Sequence, residues 1–207
     1  MLVNLISFAA AAVVVVLLPG PDTLVVVRGM VRGGTRGGIT TSLGVLCGLL
    51  VWVAAAAFGL AALLQASEVG YEVLKIAGAC YLVWMGVQSL LSLRQTASEL
   101  TAPESTRQGL MRPGFVSGFL TDILNPKVGV FFVSFLPGFV PTGYPVGWTT
   151  LVLGGIFIVL TAFYCAGLVA ASGTIADWMQ TPRIRKRLDT LTGLVLVGFG
   201  VRLATEA

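Results

Sequence analysis

Three ionisable side chains stand inside apolar stretches of this chain, and each stands close to proline. Asp22 lies in the run Leu17-Leu18-Pro19-Gly20-Pro21-Asp22-Thr23, and Asp122 and Lys127 bracket Ile123-Leu124-Asn125-Pro126. Proline lacks the N–H that would close a helical turn, so it frees a carbonyl one turn back. A free backbone group or a charge in hydrocarbon is costly, and it persists only where it faces protein or a water-filled cavity. Asp22 is six residues before Arg28, roughly 9 Å along a helix from that charge. Lys127 lies deeper still.

These residue types suit the two poles of a small zwitterion. Carbonyls released around Pro19, Gly20, Pro21 and Pro126 could accept hydrogen bonds from an ammonium. The half-helices that begin after each break present N–H groups and a positive dipole end, which suit a carboxylate. The Asn125 amide can donate and accept. Lys127 could bind a carboxylate or neutralise an aspartate, and Asp22 and Asp122 could bind an ammonium or carry a coupling proton. Thr23 adds a hydroxyl beside the first break. A purely structural reading stands beside this one, in which one aspartate pairs with Lys127 and locks the two halves together.

The elements that would position these groups are membrane helices. Of 207 residues, 56% are hydrophobic and only 11% charged, whereas a soluble domain carries about 25% charged residues. A spanning helix takes about 20 mostly apolar residues, and six segments qualify: 5–27, 38–64, 71–93, 113–136, 147–172 and 188–203. The expected architecture is an all-α membrane protein in a single membrane domain, 1–207. Within it, 1–94 forms one three-helix repeat and 112–207 a second of inverted topology. The first helix of each repeat is broken, and the polar stretch 95–111 links the two. Paired breaks in corresponding helices of two halves point to a transporter's binding site. The glycines of the third segments, Gly78 and Gly86 against Gly193 and Gly200, give weak support to the repeat.

The net charge of +4 does not form a nucleic-acid-binding patch. Ten of the thirteen basic residues fall in the first, third and fifth loops, among them Arg28, Arg32, Arg36, Arg107 and Arg185. Excess Lys and Arg mark cytoplasmic loops, so loops 1, 3 and 5 should be cytoplasmic and both termini outside. Lys75 can pair locally with Glu68 or Glu72, and Arg202 can snorkel from a helix end. The N-terminus has no basic residue before its apolar stretch, so the first span is expected to be retained. The run from Arg32 to Gly38 lacks the Gly-Lys-Ser/Thr ending of a phosphate-binding loop and reads as a tight cytoplasmic turn.

The motif Leu18-Pro19-Gly20-Pro21-Asp22-Thr23, the glycine-rich loop after it, Leu124-Asn125-Pro126-Lys127, and the ending from Gly193 to Leu203 resemble the LysE/RhtB family of amino-acid exporters. The resemblance covers essentially the whole chain. It implies an inner-membrane secondary exporter of amino acids or close derivatives, driven by the proton gradient. The family's proline motifs fall on Pro19, Gly20, Pro21 and Asp22 and on Asn125, Pro126 and Lys127. Expected partners are an amino acid, protons and the lipid bilayer, with no nucleic acid, no cofactor and room for homo-oligomers.

Rival chemistries find less support. A membrane thiol–disulfide carrier needs paired cysteines beside the breaks, but Cys47, Cys80 and Cys165 lie on other segments. A cation or metal-ion exporter of related architecture is the main alternative, though histidine is absent and cysteines are dispersed. No HExxH or Gly-x-Ser-x-Gly motif suggests an intramembrane enzyme.

Overall fold

The structure, a computed structural model, describes residues 2–92, 114–141 and 143–171, together with helical residues 190, 191, 193, 194, 197, 198, 200 and 201. The linker expected over 95–111 and the fifth loop lie outside the described residues, as do Arg202 and the side chain of Lys75. All regular structure among the described residues is helical.

Helix α1, Leu2–Leu17, buries Phe8, Ala11, Ala12 and Val15 on one face and exposes Ile6 and Leu17 on another. The i, i+3, i+4, i+7 spacing of the buried set is that of one helical stripe. The chain leaves helical form at Leu18, Pro19 and Gly20, and α2, Pro21–Ala66, starts at once with proline in its first turn. Proline suits that position because the first helical N–H has no internal partner.

Helix α2 is not straight. Gly34 has φ 60° and ψ −158°, a conformation open to glycine and strained for other residues. On either side of it the chain folds back, so that Gly29 lies against Gly37 and Thr41, and Gly38 against Met30. Side chains at Gly29 or Gly37 would collide with the opposite backbone. The turn read from the sequence between Arg32 and Gly38 is therefore a helical hairpin with Gly34 at its apex. Arg28, Arg32 and Arg36 are exposed around it.

Helix α3 is Glu68–Ser92. Helix α4, Phe115–Ile123, is followed by the second break at Leu124 and Asn125 and then by α5, Pro126–Val130. A π-helical segment, Phe131–Phe135, and a 3-10 turn, Leu136–Phe139, continue α5. The two arms of this broken element bend by 51°. Helix α6, Val146–Ala170, is mostly apolar and carries no charge. Two described stretches meet the length and hydropathy of a span unaided, Pro21–Gly59 and Val146–Ala170, and the bent pair Phe115–Ile123 plus Pro126–Phe139 makes a third. Large apolar side chains such as Phe58, Leu124, Trp148 and Phe163 face outward, as hydrocarbon solvent permits.

Helices cross where glycine allows backbones to touch. A Cβ on Gly48 would meet the Asp122 side chain, and Gly44 lies against the backbone of Phe115. Farther round, Gly86 of α3 and Gly193 lie so close that a Cβ on either would stand 2.7–2.8 Å from the other's carbonyl oxygen. Two apolar clusters fill the interior. One gathers Phe8, Phe131, Phe132, Phe135, Phe139 and Phe157 with aliphatic neighbours. The other joins Val26, Val27 and Met30 near the hairpin to Val45, Leu168 and Val169.

Candidate functional site

The two breaks meet between these clusters. Pro19 cannot donate to the Val15 carbonyl, and the last carbonyls of α1 have no helical N–H ahead of them. Lys127 supplies the missing donor. Its Nζ donates to Leu18 O at 2.9 Å and to Val15 O at 3.2 Å. The partial negative end of α1 suits this amine. Gly20 leaves room for it, since a Cβ there would lie 3.3 Å from Nζ.

Asn125 ties one break to the other. It caps α5, its Oδ1 accepting from Lys127 N at 3.1 Å, and its Nδ2 donates to Asp22 Oδ2 at 2.6 Å. Asp22 stands in the first turn of α2, where the helix dipole favours a carboxylate. Its other oxygen, Oδ1, is buried without a hydrogen-bond partner. Neither aspartate accepts from Lys127: both oxygens of Asp122 also lack a partner. The structural reading in which an aspartate locks onto Lys127 is therefore replaced by an amine held on carbonyls.

A small cavity of about 30 Å³ opens at this junction, lined by Gly20, Asp22, Thr23, Lys127, Thr161 and Tyr164 among others. That is room for about one water, less than any amino acid needs. Thr23 and Tyr164 share a hydrogen bond of 3.3 Å across the helices. Cys165 lines the cavity next to Tyr164 and is buried.

Of the residues singled out from the sequence, Gly20, Asp22, Thr23 and Lys127 line the cavity and Asn125 reaches it through Asp22. Pro19 and Pro21 shape the first break without lining the cavity. Pro126 shapes the second and, with Asn125, borders a separate open groove of about 590 Å³ beside Trp52, Gly78 and Tyr81. Asp122 is fully buried and does not line the cavity; it is seated against Gly48, and its backbone carbonyl accepts from Trp52 Nε1 at 3.2 Å. Sequence reasoning did not single out Thr161 and Tyr164. Two hydroxyls one turn apart in the middle of α6, away from Thr149 and Thr150 in its first turn, were the available signal.

The model of the LysE type translocator family matches residues 13–207. The chain belongs to this family. Similar proteins include a leucine efflux protein of Salmonella typhimurium, 28% identical over 98% of this chain and 95% of that protein. An uncharacterized membrane protein of Pseudomonas aeruginosa is 33% identical over 96% of this chain and 94% of its own. Another, of Bacillus subtilis, is 28% identical over 96% and 97%. No solved structure matches the chain. As a LysE type translocator it is a multi-pass membrane transporter and not an enzyme. Both breaks, Pro19 to Asp22 and Asn125 to Lys127, fall within the matched residues.

Proposed function

We propose that this LysE type translocator is a proton-coupled secondary exporter of amino acids or close derivatives. Substrate binds near mid-membrane between the two proline-broken helices. The observation that carries the reading is Asp22 Oδ1, a buried acceptor without a partner, lining a cavity where two broken helices are joined by Asn125. A substrate ammonium has Asp22 and the α1 carbonyls to meet, and its carboxylate has the free N–H groups that open α2. Leucine efflux in relatives 28% identical supports an amino acid as cargo and makes leucine the first probe.

The wider architecture proposed is six spans in two inverted three-helix repeats, 1–94 and 112–207, joined by the cytoplasmic linker 95–111. The protein resides in the inner membrane with loops 1, 3 and 5 cytoplasmic and both termini outside. Exposed Arg28, Arg32 and Arg36 around the first hairpin support that orientation. Asp22 and Asp122 are the proton carriers proposed, and glycine-rich helix faces leave room for a homo-oligomer.

The test is transport in sealed vesicles under an imposed pH gradient, with each amino acid tried separately and Asp22→Asn beside wild type. One amino-acid class should move in a gradient-dependent way. The variant should lose about tenfold or more, since a hydrogen bond to a charged group contributes about 1.5–3 kcal/mol. Movement of divalent cations instead of amino acids would favour the cation-exporter alternative and overturn this reading.

A further inference from the structure

The amine of Lys127 is held by backbone carbonyls. Its acceptors are the last carbonyls of α1, exposed because Pro19 and Pro21 interrupt the helix. They lie at the negative end of a helix and at the rim of the cavity that Asp22 lines. No other donor is seen on these two carbonyls among the described residues. Asp22, the natural counter-charge, is turned to Asn125 through one oxygen and leaves the other unpartnered. Leu18 O and Val15 O thus hold one primary amine supplied from within, and Asp22 Oδ1 stands unpartnered on the same cavity.

We infer that Lys127 is a tethered stand-in for the substrate's amino group, occupying the α1 carbonyls when the site is empty and leaving them when substrate loads. The inference rests on the function proposed above and assigns the amino-group subsite within it. Two consequences follow. The empty carrier keeps its broken helix end satisfied without cargo, so it can close and return. Substrate must also compete with the lysine, which weakens apparent affinity in proportion to the fraction of time the subsite is free. A lysine that served instead as a ligand for the substrate carboxylate would act in the opposite sense.

That difference in sign is the test. Binding of L-leucine, or of whichever amino acid moves most in the vesicle screen, is measured by calorimetry on purified wild type and Lys127→Met. A methionine approximates the stem of lysine without its donor. Removal of a competitor should tighten binding about threefold or more. The desamino analogue of the same ligand, which has no amine to place on the carbonyls, should show no such gain. Weaker or absent binding of the amino acid to a monodisperse Lys127→Met protein would overturn the inference. If that variant is not recovered folded, Lys127→Gln, whose shorter amide does not span both carbonyls, is read for the same sign. Wild type that binds and moves no amino acid would overturn the proposed function itself, a result distinct from a reversed sign in the variant.

Discussion

Thr23 and Tyr164 line the cavity and share one hydrogen bond between residues 141 positions apart. Behind them, toward the arginine-rich hairpin, lie Val26, Met30, Leu168 and Val169. A single neutral hydrogen bond contributes about 0.5–1.5 kcal/mol net, so its loss should open this side about two- to tenfold more often. Cys165 reports the opening, because it lines the cavity beside Tyr164 and is only 5% exposed. In a Cys47→Ala, Cys80→Ala background, Tyr164→Phe should raise the rate at which a membrane-impermeant thiol reagent labels Cys165 from the hairpin side by that factor. An unchanged rate would mean that the apolar cluster alone seals this side. In the sequence, Cys165 lies on a different segment from either break. Its place beside the site follows from the packing of α6 on α2, which no local pattern encodes.

At the level of elements, the seam between α2 and α4 carries the site. Gly44 and Gly48 on one helix face Phe115, Gly118 and Asp122 on the other, and Gly118 lies against the Thr41 carbonyl. Overpacking a close contact costs about 1–3 kcal/mol. Gly118→Ala should therefore lower the thermal unfolding midpoint in detergent clearly. Gly155→Ala, where an added methyl meets nothing within 4 Å, should leave the midpoint unchanged or slightly raised. Equal effects at the two positions would show that the seam tolerates separation. The breaks themselves were legible in the sequence, because the missing proline N–H is a property of one residue. The π-helical segment Phe131–Phe135 after the second break was not. It arises where Phe131, Phe132 and Phe135 are drawn into the aromatic cluster with Phe8 and Phe157, and that demand comes from other helices.

Over the whole molecule, the polar junction lies between two apolar plugs. The phenylalanine-rich cluster covers it on one side, and the valine- and leucine-rich cluster near the hairpin covers it on the other. Under the proposed function, alternating access requires each plug to part in turn while the joined breaks stay between them. Orientation decides which plug faces the cytoplasm. With Arg28, Arg32 and Arg36 at the first hairpin, a single cysteine placed at Arg32 in a cysteine-free background should be labelled only from the cytoplasmic face of vesicles. One placed at Tyr144, exposed in the loop before α6, should be labelled only from the opposite face. Labelling of both from one face would refute the proposed arrangement of spans and loops.

The sequence by itself determined the helical membrane character, the two breaks and the hairpin turn. Each follows from composition or from the backbone chemistry of one residue: low charge, a proline without its N–H, a glycine free to take positive φ. Only the tertiary structure decided which groups meet. It set Lys127 on the carbonyls of α1 rather than on an aspartate, joined Asn125 to Asp22 across 103 positions, brought Tyr164 to Thr23, and seated Asp122 against Gly48 away from the cavity. Partners so far apart in the chain are chosen by which helix faces pack together. That choice is made by shape and burial over the whole molecule, and a local pattern does not contain it.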